Sequence, residues 1–521
     1  MSTLTFLYAL PIFLLTAVVH RWFKRWRRSR SFLLPPGPKG LPIIGNVLDI
    51  PQGLPLWEGS MALGRQYNTD VLYLNLFGKD MIILNSTKAI SDLLDKRSKI
   101  YSDKPQSPMA ELLGLDWAFS TMKYGNKWKS YRRLFREYMG PGPVKTYEDT
   151  LRKAADSLLV RLANDPKRFR EHTKFLSDSL SLEIAYGLGV DSPDHPILRR
   201  ADEAVNAVKS GLTPGKWLVE FLPFLKYIPE WFPGATFRKF ASAGKRSLDS
   251  SITVPFNTVK QRMQAGEKVN PSIASACLQK MSDIYEQGLD EDAVRSVIGI
   301  THLAGADTTD CVLSTFVLAM SIYPRVQQKA QAEIERVVGV DRLPDFSDLN
   351  DLPYLSALIK ELLRWNAPTP LGTSHAVMED DVYEGWFIPA GTIFLENIWG
   401  IFHDEIAYPD SYAFNPDRFL DEDGKVDPSV PDPEHRVFGS GRRICPGRHF
   451  ALKAEFIIIA RILATFDVLP PVDENGVPHV PRAEFTPDLI SHPAPFECTV
   501  KPRSGKSLMF TKASSTPEKS S

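Results

Sequence analysis

The sequence predicts a mainly α-helical body with small β-sheets, preceded by an N-terminal transmembrane anchor. Three observations carry this. Helix-period apolar patterns recur through most of the 521 residues, strand-like alternation is confined to two short regions, and an apolar run at residues 4–19 ends against a basic cluster. Composition bounds the rest. Apolar residues at 43% and charged residues at 24% exclude a wholly disordered, collagenous or multi-span membrane chain. Lys plus Arg and Asp plus Glu each total 62, so no net positive field recommends nucleic acid as a partner.

That zero is unevenly spread. Residues 21–30 (RWFKRWRRSR) hold six basic groups and no acid, which leaves 56 basic against 62 acidic groups elsewhere. At about 1.5 Å per residue the run 4–19 falls somewhat short of a bilayer core of about 30 Å. Trp22 and Phe23 extend it, with Arg21 and Lys24 reaching back to the headgroups. A cleaved leader would carry its basic residues before the apolar run; here they follow it. The reading is an uncleaved anchor over residues 1–30 with residues 20 onward in the cytosol. Four cysteines, Cys277, Cys311, Cys445 and Cys498, form no close pair, which argues against a disulfide framework or a zinc cluster.

Residues 31–46 follow as a hinge. Four Pro and three Gly between positions 34 and 46 exclude helix and central strand, and predict a stiff extended connector. The body spans residues 47–503. Residues 71–85 read as a hairpin around Gly78-Lys79-Asp80, and a helical pattern resumes at Thr87. Helices are expected at about 125–139, 147–163, 235–264, 290–323, 325–338, 352–365 and 448–466. The stretch 290–323 is apolar nearly all round and so belongs in the core, with Pro324 ending it. A second β region covers 381–395, with a turn expected at Pro389-Ala390-Gly391. Residues 504–521 read as a disordered tail. Asn85-Ser86-Thr87 matches a glycosylation sequon by chance on a cytosolic face.

The chemistry gathers around one cysteine. Residues 438–447 (FGSGRRICPG) form a Gly-rich loop ending in Cys445, directly before a helix. A thiol there meets the positive end of the helix dipole and unpaired backbone N–H groups, which favour the thiolate. The glycines let the loop pass close to a flat, bulky partner, and Arg442 and Arg443 offer positive charge to acidic groups on it. A lone cysteine cannot build a zinc or iron–sulfur site, but it can be the single axial ligand of a haem.

With this loop the chain resembles the cytochrome P450 family over nearly its whole length. The resemblance implies the family's fold for residues 47–503, haem b (iron protoporphyrin IX) as cofactor, Cys445 as axial ligand of the iron, and Phe438, Gly439 and Gly447 as loop positions against the haem. Arg443 would pair with a haem propionate, joined by Trp128 and Arg132 of a W-x-x-x-R and by His375. Glu361 and Arg364 look like the family's E-x-x-R, with Arg418 as third member of a structural network. Within Ala304-Gly305-Ala306-Asp307-Thr308-Thr309, on the core helix, Thr308 would hydrogen-bond dioxygen and Asp307 would help deliver protons. Read from the residues alone, Thr308 could equally bond back to the carbonyl of Ala304. His302 takes no role.

The resemblance further implies a microsomal, fungal-type monooxygenase of specialised metabolism (EC 1.14), on the endoplasmic reticulum membrane with its catalytic domain in the cytosol. Electrons would come from NADPH through a separate NADPH–cytochrome P450 reductase, with cytochrome b5 as a further partner; no GxGxxG fingerprint appears in the chain. The expected substrate is a lipophilic small molecule, a terpenoid first, with polyketide, sterol-like or indole compounds as alternatives. A reductase-independent isomerase or dehydratase is the rival activity. Residues 217–232 (WLVEFLPFLKYIPEWF) either dip into the lipid beside a substrate entrance or form a buried helix pair.

Overall fold

The computed structural model describes residues 33–51 and 53–503. The expected anchor at residues 1–30 and tail at 504–521 lie outside the described residues. Among the latter, ten helices of eleven residues or more occur: α1 (Leu56–Gln66), α2 (Asn126–Met139), α3 (Glu148–Asn164), α4 (Phe169–Tyr186), α5 (Pro196–Leu212), α6 (Thr236–Gln264), α7 (Glu291–Ile322), α8 (Pro324–Val338), α9 (Pro353–Trp365) and α10 (Arg448–Thr465). Eight strands are short: β1 (Val71–Leu76), β2 (Lys79–Leu84), β3 (His375–Ala376), β4 (Asp381–Tyr383), β5 (Trp386–Ile388), β6 (Ile393–Glu396), β7 (Phe466–Leu469) and β8 (Thr499–Pro502). The body is mainly α with small sheets, as the periodicity predicts.

Helix α7 is the axis of the body. Asp290 caps it, its carboxylate accepting from the Ala293 N–H at 2.8 Å, and Pro324 opens the next helix at its far end. It is the one described helix long and apolar enough to cross a membrane, but 83% of its apolar window is buried in protein, so it is a core helix. It packs against α4, α2, α10 and α5. Helix α4 escapes a periodicity reading because it too is buried on most sides, with Thr173, Ser177, Asp178 and Ser181 among its buried residues.

The main sheet runs β1-β2-β6-β3. β1 and β2 form the expected hairpin, and β6 then joins β2 in parallel, Met81 opposite Ile393. The second β region therefore differs from expectation. β4 pairs with β5 across Glu384-Gly385, while Pro389-Ala390-Gly391 redirects the chain into a different sheet. Gly385 takes φ 85° and Glu384 φ 51°, the left-handed pair a tight hairpin needs. The proline-rich hinge is strapped to β1: Tyr73 donates to Pro36 O at 2.8 Å, and Asn75 N–H donates to the Asn46 side chain at 2.7 Å. A Cβ on Gly37 would lie 2.0 Å from Tyr73 O, so only glycine permits this approach. The sequon amide is occupied, with Asn85 Oδ1 accepting from Asn397 Nδ2 at 2.8 Å.

Residues 217–232 form no helix pair. They make two 3-10 turns, Leu218–Glu220 and Pro223–Tyr227, with Tyr227 and Trp231 more than three-quarters exposed.

Behind α9, Glu361 and Arg364 are fully buried and joined twice, at 2.6 and 2.9 Å. Arg418 adds a contact to Glu361 at 3.2 Å, and the Asn415 N–H another at 2.7 Å. Removing the carboxylate charge would strand two guanidinium groups, so Glu361→Gln is expected to cost about 3–5 kcal/mol, read as a lower urea midpoint. A midpoint equal to wild type would contradict the network.

Candidate functional site

The Cys445 loop is shaped by its backbone. Gly439 and Gly441 take φ 76° and 58°, and the Cys445 N–H donates to Phe438 O at 2.7 Å, folding the loop back on itself. Gly441 donates to Asp95 at 2.7 Å, and a Cβ there would lie 2.0 Å from Leu94 O. Gly447 is the last residue before α10, 3.9 Å from Cys445 Sγ by its would-be Cβ. Burial pushes the Cys445 thiol up; the Gly447 and Arg448 N–H groups and the charges of Arg132 and Arg448 pull the other way. A cation bound at the sulfur would tip that balance to the thiolate.

Basic residues ring the loop. Arg132 of α2 donates to the Ile444 carbonyl. Arg443 donates to the carbonyls of Ser102 (2.7 Å), Phe119 (3.2 Å) and Met122 (2.7 Å), with its guanidinium 4.4 Å from the Trp128 ring centre. Burial lowers both arginines to about 10. Trp128, Arg132 and Arg443 are thus brought together, two residues four positions apart on α2 meeting the loop.

His375 is not on an exposed loop; it is buried in β3. Its Nδ1 faces the Tyr101 carbonyl at 2.9 Å, so Nδ1 carries the hydrogen, and Nε2 lies 3.5 Å from Glu396 Oε1. Burial holds His375 well below its usual range, and it raises Glu396 to about 7. A neutral carboxyl and a neutral imidazole is the arrangement these contacts favour. Ser440 donates to the other Glu396 oxygen. Lys104, also buried, donates to Thr373 and to Ser374 O at 2.7 Å, and burial lowers it to about 7. Sequence reasoning missed Lys104 and Glu396: neither stands in a motif, and Lys104 lies 270 residues from Ser374 and Glu396 44 from Ser440.

Between residues 296 and 321 of α7, Ile300, Ala304 and Thr308, at i, i+4 and i+8, keep accessible surface together with Gly305, and the rest is buried. Thr308 donates to Ala304 O at 3.0 Å. Asp307 points elsewhere, to Lys209 Nζ of α5 at 3.1 Å and to His492 Nε2 at 3.2 Å. Burial would raise Asp307, but His492 and Lys209 prevail and hold it at about 2. Neither partner was found from sequence, since both come from distant segments. His302 is fully buried against Tyr186, with both ring nitrogens unpartnered.

The donor set fits a haem. Among the described residues no group of three metal-binding side chains occurs, so a metal here would have one protein ligand. Cys445 is that ligand's chemistry: a single sulfur, only half-buried, in a loop whose residues 441–449 are all short of full burial. The accessible stripe on α7 belongs to a helix that packs against both α10, which follows the loop, and α2, which supplies Arg132. Arginines on that side suit propionates.

Residues 35–500 match the family model described as Cytochrome P450. The chain is 38% identical to a cytochrome P450 monooxygenase of Armillaria gallica over 94% of this chain and 95% of that one. It is 38% identical to the tryptamine 4-monooxygenase of Psilocybe cyanescens over 94% and 96%, and 40% identical to the eriA monooxygenase of Hericium erinaceus over 92% and 90%.

The raised Glu396 carboxyl makes a prediction with a definite sign. Its contribution to stability is complete below the unfolded value of about 4.3 and is lost as pH rises through about 7. Glu396→Gln should therefore flatten the decline of the thermal midpoint between about pH 5 and 7. An unchanged slope would show that Glu396 titrates normally.

Proposed function

This chain belongs to the cytochrome P450 family and is a monooxygenase, and from that premise we propose that it hydroxylates a neutral, lipophilic small molecule of fungal specialised metabolism, a terpenoid first among candidates, with electrons from NADPH through a separate membrane-bound reductase. The observation that carries the reading is Cys445, a single half-buried sulfur between two backbone N–H groups and two arginines at the start of α10. Bound haem supplies the activation of dioxygen.

The chain's own residues would do the following. Cys445 holds the iron as thiolate. Arg132 and Arg443, with Trp128 packed beneath Arg443, would neutralise and orient the propionates, and His375 would add a neutral hydrogen-bonding ring beside them; Phe438, Gly439 and Gly447 would give the loop its close approach. Thr308 offers a hydroxyl at the accessible face of α7, and in exchanging its bond to Ala304 O for one to a bound ligand it can pass a proton. Asp307, one residue back, is the acid that feeds it.

Neutral substrate chemistry is supported by charge. An amine would need a carboxylate, and the carboxylate next to the accessible stripe is already taken by Lys209 and His492. Lipophilicity is supported by the exposed Leu218, Phe224, Tyr227 and Trp231, in a segment joined to the β1–β2 turn by Phe77 against Phe221 at 5.6 Å. Such a surface suits entry from lipid beside an N-terminal anchor, with cytochrome b5 as a second donor on the cytosolic face.

The test is expression with a reductase in a host fed terpenoids and, for comparison, tryptamine, followed by product mass spectrometry. Hydroxylated terpenoid that requires NADPH, and disappears in Cys445→Ser together with the thiolate-type reduced carbon monoxide spectrum, is the expected result. Turnover without NADPH and reductase would favour an isomerase, and turnover of tryptamine alone would overturn the neutral substrate. Thr308→Ala should retain that spectrum but divert about tenfold more NADPH into peroxide; unchanged coupling would remove Thr308 from proton transfer.

A further inference from the structure

Asp307 and Asp310 lie three residues apart on α7 and so are neighbours on its surface, with Asp307 three residues after Ala304 at the edge of the Ile300–Ala304–Thr308 stripe. Both are nearly buried, and His492 lies between them. Its Nε2 is 3.2 Å from Asp307 Oδ2, and its Nδ1 is 3.9 Å from Asp310 Oδ2. The histidine is held by its backbone. Its N–H donates to Thr486 Oγ1 at 3.1 Å, and the neighbouring Ser491 carbonyl accepts from Asn366 Nδ2 at 2.8 Å and from the Cys311 thiol at 3.2 Å. The loop is thereby locked to α7 and to the end of α9, and the ring has little freedom to leave the two carboxylates.

Exposure runs in one direction through this group. The Asp307 side chain is 5% exposed and that of His492 17%, so the ring reaches water where the carboxylate does not. Lys209, the second cation on Asp307, also meets solvent, but imidazole is the side chain that takes up and releases protons between about pH 5 and 8. The other charged or titratable groups of the cluster are Asp310 and Cys311 of α7 and, near Asp310, Lys174 of α4, which is itself paired with Asp178 and Asp202. Thr173 occupies Asp310 with a hydrogen bond at 2.9 Å, leaving Asp307 as the carboxylate in hydrogen-bond reach of the ring.

We propose that His492 is the residue through which Asp307 exchanges protons with solvent, while Lys209 positions the carboxylate. The inference rests on the reading of Asp307 as the acid that supplies Thr308. In the exchange the Nε2–H bond of the imidazolium breaks and an O–H bond forms at Asp307 Oδ2. The ring becomes neutral and the carboxylate loses its charge. When Asp307 has passed that proton on, Nε2, the ring's vacant nitrogen, takes a proton from bulk water as the reservoir and the imidazolium is restored. His492 is a positioning and relay residue for Asp307 and touches neither substrate nor haem in this role.

The test uses the full haem-loaded chain with its reductase and compares wild type, His492→Gln and Asp307→Asn. Glutamine keeps a donor of similar reach but cannot titrate. The measured quantity is peroxide formed per NADPH consumed, followed from about pH 6 to 8. His492→Gln should raise it about threefold or more and flatten its pH dependence, and Asp307→Asn should raise it further. Peroxide yield and pH profile unchanged in His492→Gln, with Asp307→Asn still uncoupled, would overturn the relay and leave the Asp307 reading standing. No effect in Asp307→Asn would overturn that reading and the relay with it. A second readout needs no turnover: histidine-selective NMR of the full chain should show the His492 ring signals shifting in Asp307→Asn as its carboxylate partner is lost. Ring signals that do not move would overturn the contact itself, and this arm decides the matter if His492→Gln fails to load haem.

Discussion

A guanidinium with no exposed surface sets the terms for much of this structure. Arg364 has five N–H donors, and each finds an acceptor: two on Glu361, and the carbonyls of Phe402, Ser411 and Ala413. A buried charge left short of even one partner would cost several kcal/mol, so the segments carrying those carbonyls have little latitude. They belong to the stretch between β6 and Arg418, which must fold around α9 to supply them. Arg418 repeats the device, donating to the carbonyls of Pro409 and Asp410 as well as to Glu361. The chain emerging from this cluster leads directly into the cysteine loop. A local i, i+3 pair on one helix thus anchors a long, largely irregular segment whose own helical turns, Ile398–Phe402 and Pro416–Phe419, are short.

The core helix shows the complementary constraint. An acid and hydroxyls in an apolar helix are tolerable only if every one is satisfied. Asp307 is satisfied from outside the helix, by α5 and by the loop carrying His492, whereas Thr308 is satisfied within it, by Ala304 O. The two neighbours in sequence are therefore under different control. The hydroxyl can be released by a turn of its own side chain, and the carboxylate answers to two separate elements of the fold. One helix so keeps an accessible stripe for a ligand beside a charged cluster.

Charge is managed the same way around the cysteine loop. Arg132 and Arg443 give their hydrogens to backbone carbonyls, which satisfies them without cancelling their charge. Net positive charge is then held in a partly desolvated place, which suits an anionic partner such as a propionate. Beside them His375 and Glu396 are driven towards their neutral forms by burial, so the positive character comes from the arginines.

Features that depend on residues close in sequence were legible without a fold. The glycine-lined loop with Cys445, the Glu361–Arg364 pair, the W-x-x-x-R spacing, the proline-terminated core helix and the β1–β2 hairpin all follow from short-range geometry, and the structure keeps each of them. The zero net charge was legible too as a sum of a cationic flank and a mildly acidic remainder. What sequence reading misassigned was the pairing of β6, because a parallel partner 312 residues away (Met81 with Ile393) leaves no local trace. What it missed were Lys104, Lys209, Glu396 and His492, single charged or titratable residues whose meaning lies in a partner from another element. Local periodicity and motif spacing record what a segment does with itself. Which buried charge meets which is decided when distant segments close around the same desolvated space, and only the tertiary structure carries that information.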